Sequence, residues 1–492
     1  MPRSLLSEDD PAAQRRLADA DEVLVGWSSD WPQGHADARI LEEYLAGRAA
    51  GDLDISGRAV ADAVGGAAAG DVPVDETTHA PHAAASTAVL DDPDGSLALV
   101  VALTGARRTA VATDSASAGH ACRAAFEALP ESVRSAVGFH DSAAEAVAAL
   151  VGESAALRVV VHAPKHVAVL REHLRLVEAF ATEVVVVGRE KHMSPSLNRL
   201  LAESYERLDV SPGRAKSRLL IASGPKRLAP LRRESTDDRL TPLTRPRIPV
   251  QSAASSPAAG VPEIQVSAYP GAFGGASADP GSRILLTAFA RRLPTLVPGG
   301  GDGRTGETGS VRVLDLGSGN GWLLAAIGSL LPHASLFGVD DSRAAVESTA
   351  LTAASVRPGE EPALVRHVDA TRPLPWRTEE AVDHAGAGGD GEGPTESVAF
   401  AEGSFDLVTL NPPFHDGTSM TTDIAHDLID AAADLLRPGG RLVIVYNSHL
   451  RYRSHLQHRF SDVEQWARDR RFTVVSATRP GSARGETRTP TS

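Results

Sequence analysis

VRVLDLGSGNGW, residues 311–322, decides how the chain is read. Its first six residues are a short apolar run of the kind that forms a strand buried on both faces. A turn containing Gly317, Gly319 and Gly321 then leads into a helical pattern that runs to about Leu331. Downstream, SLFGVD (335–340) is a second strand and SRAAVESTALTAA a second helix. ALVRHVD (363–369) is a third strand, and FDLVTL (405–410) a fourth, followed by a helix over 421–436. RPGG (437–440) stops that helix, and RLVIVY (441–446) is a fifth strand. Strands alternating with helices predict an α/β fold with a parallel sheet covered on both faces.

Glycines after a buried strand let the backbone pass close to a ligand and turn into a helix. A dinucleotide site needs G-x-G-x-x-G, but the third residue after Gly319 is Trp322. Asp315 sits at the strand end, where a carboxylate would repel a pyrophosphate and suit an ammonium group. The D-x-G-x-G-x-G spacing of Asp315, Gly317, Gly319 and Gly321 therefore fits S-adenosylmethionine better than NAD. Asp340 closes the next strand, a position suited to accepting hydrogen bonds from a ribose diol. Taken alone, it also reads as a helix cap before Ser342. Asp369 ends the third strand and is placed for the adenine amino group.

Asn411-Pro412-Pro413-Phe414 follows the fourth strand, at the edge that borders the ligand crevice in such sheets. Proline fixes φ and has no N–H, so the Pro412 carbonyl is held with no competing donor beside it. The Asn411 side-chain oxygen is a second acceptor. Two converging acceptors can hold an NH2 group and aim its lone pair at the methyl of a sulfonium. Phe414 offers a face for a flat base or amide. His415 either polarises the base, relays a proton or merely caps the tetrad.

The chain has 492 residues, long enough for two large domains or about three ordinary ones. Its N-terminal half repeats the α/β pattern more faintly, with candidate strands at 22–26, 97–103, 109–113, 157–163 and 183–188. Residues 61–87 read as irregular, and 225–262 as a Pro/Arg/Ser-rich linker. Residues 378–399 read as an acidic, Gly-rich disordered insertion, and 481–492 as a flexible tail. One cysteine, Cys122, excludes a disulfide framework and a Cys-based zinc site within the chain, and no metal is expected. The N-terminal MPRSLLSEDDPAAQ lacks a signal sequence's apolar core, and no apolar run approaches the roughly 20 residues of a membrane span. A cytoplasmic protein with no membrane partner is expected. A net charge of −14 argues against indiscriminate binding to polyanions. A basic stretch from Arg214 to Arg247, including Arg232 and Arg233, either meets phosphates or is a solvated linker.

The D-x-G-x-G-x-G turn followed by NPPF resembles class I S-adenosylmethionine-dependent N-methyltransferases. NPPFHDG (411–417), YPGAF…DPGSRILL (269–286) and VYNSHLRYRSHLQ (445–457) narrow the resemblance to ribosomal RNA guanine-N2 methyltransferases of the RsmC/RlmG type. It spans about 263–480, and HAPKHVAVL (162–170) and GREKHMSPSLNRLLAESY (188–205) resemble that family's degenerate N-terminal domain. The resemblance implies two tandem Rossmann-like methyltransferase domains, each with a seven-stranded, mostly parallel sheet. Residues 1–224 would form the degenerate, RNA-recognising domain and 263–480 the catalytic one. S-adenosyl-L-methionine would be the cofactor, and a guanine in ribosomal RNA or a ribosomal particle the target of a monomeric enzyme.

Carried across, Asp315, Gly317, Gly319, Gly321, Asp340, Asp369 and Asn411 would meet the cofactor. Asn411, Pro412 and Phe414 would hold the reacting amine. Phe273, Asp279, Ser282, Phe414 and His415 would meet the substrate. GGASADPGS departs from the Leu-Asp-x-Gly run expected there, although Asp279 and Gly281 keep its Asp-x-Gly spacing. NPPF is shared with DNA amino-methyltransferases and release-factor glutamine methyltransferases, which stay open as alternatives. A non-catalytic RNA-binding protein with a relic fold is a third.

Overall fold

The computed structural model describes residues 35–50, 85–104, 106–151, 156–226, 243–244, 248–249, 263–296, 304–305, 309–357, 361–372, 400–413 and 419–481. The expected strand at 22–26, residues 227–242 and 245–247 of the basic stretch, the insertion at 378–399, Phe414, His415 and the tail from 482 lie outside them. The chain divides into two compact units, Met1–Leu240 and Thr241–Ser492.

The first unit holds β1 (Ser86–Leu90), β2 (Thr109–Ala112), β3 (Val137–His140), β4 (Leu157–His162), β5 (Ala181–Arg189), β6 (Tyr205–Val210) and β7 (Ser217–Pro225). They form one sheet in the order β3-β2-β1-β4-β5-β7-β6, with β7 antiparallel to β5 and β6 and the other pairs parallel. In the second unit β8 (Leu243–Thr244) and β9 (Ile248–Pro249) pair with β11 (Ser267–Ala268) and β10 (Glu263–Ile264), and β12 (Arg304–Thr305) with β13 (Gly309–Ser310). Its main sheet contains β14 (Arg312–Leu316), β15 (Ser335–Asp340), β16 (Leu364–His367), β17 (Phe405–Leu410), β18 (Leu436–Asn447), β19 (Ser461–Arg468) and β20 (Phe472–Thr478). The order is β16-β15-β14-β17-β18-β20-β19, the same as in the first unit. Two seven-stranded, mostly parallel sheets match the fold that the resemblance implied.

Central strands are apolar on both sides because each side meets a separate core. Along β14, Val313 enters one cluster, whereas Leu314 and Leu316 enter the other. Along β17, Leu407 faces the first and Val408 and Leu410 the second. The first unit repeats this, with Val160 and Val159 on opposite sides. In the second unit the order of strand addition reverses at the parallel β14–β17 pair, which opens a crevice beyond their C-terminal ends.

The expected strand at 97–103 is a helix, Ser96–Leu103, with all eight residues buried. An unbroken apolar run carries no periodicity, so a buried helix and a buried strand look alike. The turn before it decides: Asp92 accepts from the N–H groups of Gly95 (3.0 Å) and Ala98 (2.8 Å), which starts a helix. The strand of that region is β1, whose first residues, Ser86 and Thr87, lie in the stretch read as irregular. RPGG, read as a helix stop, opens β18 just after the helix Ser419–Leu435 ends. Asp369 lies two residues beyond β16 rather than at its end.

Candidate active site

β14 delivers Asp315 and β17 delivers Asn411 to one edge, since Leu316 and Leu410 are register partners. After Leu316 the chain turns through Gly317 (φ 80°), Gly319 (φ 57°) and Gly321 (φ 76°) into the helix Trp322–Leu330. Left-handed φ favours glycine, and at Gly321 space also demands it: a Cβ would lie 2.6 Å from Thr349 Cα. The turn is held from two sides. Asp340 at the end of β15 accepts from Gly319 N–H at 2.8 Å, and Asn320 Nδ2 donates to the carbonyls of Gly275 (2.7 Å) and Ser277 (2.8 Å). The YPGAF segment is thereby docked on the turn. Its start is fixed where Tyr269 N–H donates to Ser348 Oγ at 2.9 Å.

A pocket lies here, lined by both carboxylates Asp279 and Asp315, by the Gly317–Asn320 turn, and by Phe273, Ser282, Trp322 and Asn411. Among the described residues, no lysine, arginine or histidine is in its lining. Asp315 is 2% exposed and accepts from Thr409 Oγ1 at 2.7 Å. Burial pushes its carboxyl up to about 7, and the nearby Asp340 adds to the rise. An ionised carboxylate in such a place needs a cation that the lining does not supply. A ligand with a sulfonium and an ammonium group fits that need, and a pyrophosphate does not.

Asn411 is built from afar. Its Nδ2 donates to Asp279 Oδ2 at 2.9 Å and to Ser282 Oγ at 3.1 Å. Asp279 in turn caps the helix Pro280–Leu296, accepting from Ser282 N–H at 3.0 Å, with Pro280 at the favoured first position. With Nδ2 facing a carboxylate and a hydroxyl, the amide orientation is determined. Its Oδ1 is shielded from solvent and has no hydrogen-bond partner among the described residues. A buried acceptor without a donor marks a place where a ligand donor belongs. Trp322 Nε1 is a second such orphan in the pocket wall, this one a donor.

Of the residues singled out in the sequence, Asp315, Gly317, Gly319, Asn411, Phe273, Asp279 and Ser282 come together around the pocket. Asp340 and Asp369 do not line it. Asp340 clasps the glycine turn and accepts from Ser342 N–H at 2.9 Å, while Asp369 Oδ1 accepts from Thr371 N–H (3.0 Å) and hydroxyl (2.6 Å). Pro412 is buried, and neither it nor Gly321 lines the pocket. Thr409, Asn320 and Trp322 were missed. Asn320 and Trp322 stand inside the fingerprint itself, but Thr409 shows no signal beyond lying in the strand before Asn411. Among the described residues no group of three or more His, Cys, Asp or Glu is arranged to hold a metal, and no helix is long and apolar enough to cross a membrane.

Comparison with known proteins identifies the family. The family description "Methyltransferase small domain" matches residues 263–377 and 395–476, and "RLMG N-terminal domain" matches 68–226. The ribosomal RNA large subunit methyltransferase G of Pseudomonas paraeruginosa is 30% identical over 322 residues, 65% of this chain and 70% of that protein. Its namesake from Streptomyces griseus subsp. griseus is 30% identical over 331 residues, with the same two shares. The T. thermophilus 16S rRNA N2 methyltransferase (RsmC), solved with AdoMet and guanosine, shares the fold with a TM-score of 0.54. It is 21% identical and is matched over 80% of this chain and 88% of that one. Fold and site define a class I methyltransferase with S-adenosyl-L-methionine as its methyl donor. The chain belongs to the ribosomal RNA large subunit methyltransferase G family, enzymes of the RsmC/RlmG type that act on ribosomal RNA.

Proposed function

We propose that this protein transfers the methyl group of S-adenosyl-L-methionine to the exocyclic N2 amine of a guanine in large-subunit ribosomal RNA. The observation that carries the reading is the Asn411 amide: its nitrogen is tied to Asp279 and Ser282, while its oxygen is left unpaired in a pocket beside Asp315. The names of the relatives support the RNA target over a protein glutamine or DNA. When bound, S-adenosyl-L-methionine supplies an electrophilic methyl group on a positively charged sulfur. In this reading Asp315 balances the cationic end of that donor and Asp340, through Gly319, keeps the turn open around it. Asp369 is assigned to the adenine side.

Asn411 Oδ1 and the Pro412 carbonyl accept the two N–H bonds of the target amine and hold its lone pair toward the methyl group. As nitrogen bonds to the methyl carbon it gains positive charge, and acceptors already in place then bind it more strongly. The proton leaves after transfer, so no strong base is needed at the amine. Phe273, 53% exposed beside the pocket, gives a flat base a face to rest on, a role shared with Phe414. Asp279 and Ser282, read from sequence as substrate contacts, act here by holding Asn411.

The first unit is assigned to RNA recognition rather than chemistry. Its turn after β1 is Asp91-Asp92-Pro93-Asp94-Gly95, and Asp91 (φ 59°) stands in the place of Gly317. The Asp91 carboxylate faces His173 Nε2 at 2.7 Å, and Asp92 is used in starting a helix. These side chains fill the place of the cofactor turn.

The test is to incubate the protein with methyl-labelled S-adenosyl-L-methionine and unmodified large-subunit ribosomal RNA, and to digest the RNA to nucleosides. The label is expected in N2-methylguanosine. Label in a methylated adenosine or cytidine, or in protein glutamine alone, would contradict the assignment.

A further inference from the structure

The chain carries a net charge of −14, yet one edge of its catalytic unit is rich in arginine. β18 is parallel to β17 and outruns it: Ile444 pairs with Leu410, and the strand continues to Asn447. The loop after β18 therefore leaves from the same edge as Asn411; it carries exposed Arg451 and leads into the helix Arg453–Arg459, whose first residue is also exposed. The β19–β20 hairpin returns to that edge, because Asn447 pairs with Phe472, and it carries exposed Arg468, Arg470 and Arg471. The two loops are tied together. Ser448 N–H donates to the Arg471 carbonyl at 2.7 Å, and Ser448 Oγ to the Asp469 carbonyl at 3.2 Å.

Nearby carboxylates are engaged elsewhere. Asp430 faces His455 and Arg459, Asp434 faces Arg459, and Glu464 faces Arg292. Asp469 accepts from the backbone N–H groups of Arg471 and Phe472. Arg451, Arg453, Arg468 and Arg470 are in no salt bridge among the described residues. The buried phenol of Tyr446 feels both Arg453 and Arg468, which brings guanidinium groups from the two loops into one neighbourhood. The rim also reaches the pocket. The Arg471 guanidinium lies 5.1 Å from the Phe472 ring centre, and a Cβ on Gly281 would lie 3.4 Å from both Phe472 Cε1 and Asn411 Oδ1.

A polyanion is better held by this rim than by the pocket, whose lining among the described residues has two carboxylates and no basic group. Guanidinium forks match phosphate oxygens. A base drawn out of its stack into the pocket leaves the phosphates of its strand at the pocket mouth. By contrast, Arg214 and Arg218 of the basic stretch seen in the sequence face Glu43 and Glu190. We propose that Arg451, Arg453, Arg468 and Arg470 bind the phosphates flanking the target base. The proposal rests on the reading of the chain as an RNA methyltransferase and adds where the RNA backbone lies.

The test uses the full-length protein and an unmodified large-subunit ribosomal RNA transcript, with binding measured over a range of salt concentrations. Arg451→Gln/Arg470→Gln should weaken binding about 10-fold and flatten the log–log salt slope by about 1.4, from roughly 0.7 per phosphate contact on a single strand. Its affinity for S-adenosyl-L-methionine should stay within about twofold of wild type, which reports an intact fold. Arg437→Gln/Arg441→Gln removes the same charge at the start of β18, the edge opposite the rim, and should leave the slope unchanged. A wild-type slope in the rim variant, or an equal loss in the control, overturns the proposal. Wild-type protein that binds S-adenosyl-L-methionine but no transcript would overturn the RNA reading itself, and the rim with it.

Discussion

Asn411→Ala is expected to lower the single-turnover rate at saturating RNA by about 100-fold or more, the usual effect of deleting one preorganised partner of developing charge. Cofactor affinity should hardly change, because the lost oxygen faces the reacting amine. The side chain is intermediate in burial, and Asp279 keeps Ser282 N–H as a donor when Asn411 is gone, so the helix cap survives. Asp279→Asn probes the same step from behind. It can still cap the helix, but it replaces the carboxylate that accepts from Asn411 Nδ2 at 2.9 Å with a weaker neutral acceptor. About 10-fold in rate is expected from a hydrogen bond to a charged group, with RNA affinity unchanged. A wild-type rate in Asn411→Ala would reduce NPPF to a structural turn.

Cofactor binding should be pH-dependent through Asp315. Its carboxyl is pushed from 3.8 up to about 7 by burial, so the free protein holds a proton there that the unfolded chain has released. The sign follows: stability of the free protein falls as pH rises from about 4 to about 7, because folding must then take up a proton that the unfolded chain has released. A cationic ligand reverses the preference for the protonated form. Its binding expels the proton, and the apparent affinity for S-adenosyl-L-methionine should rise roughly 8-fold between about pH 6 and about pH 7.5. Calorimetry in buffers of different ionisation enthalpy would count the released proton. Asp315→Asn should abolish this dependence and weaken binding by about 10-fold to 100-fold, the loss of a charged partner. A flat pH profile in the wild type would place the cationic end of the donor elsewhere.

Much of the catalytic sheet is legible because its strands are apolar on both faces and end in chemistry. β14, β15 and β17 are continuous hydrophobic runs that deliver Asp315, Asp340 and Asn411. The antiparallel edge is far less legible. β19, SDVEQWAR, has mostly exposed, polar residues, as suits an edge that must not recruit another strand, and so gives no buried pattern to read. The 97–103 run misled for the opposite reason, being apolar everywhere, and its helical state was decided by Asp92 outside it. In the site, the identities of Asn411, Asp279 and Ser282 were readable, but their relation was not. A hydrogen bond between residues 132 apart in sequence exists only once the helix Pro280–Leu296 docks against β18 and β20. Likewise the local density of arginine drew notice to 214–247, whereas β18 and β20 pairing gathers the rim from two separate segments.

The most direct check is the distance from Asn411 Oδ1 to guanine N2 in a crystal structure with guanosine and S-adenosylhomocysteine bound. A value within hydrogen-bond range, about 2.7–3.2 Å, is expected, with Asn411 Nδ2 still on Asp279 and Ser282. A base whose N2 points away from Asn411, with Oδ1 satisfied by water or by another ring atom, would contradict the mechanism proposed for this site.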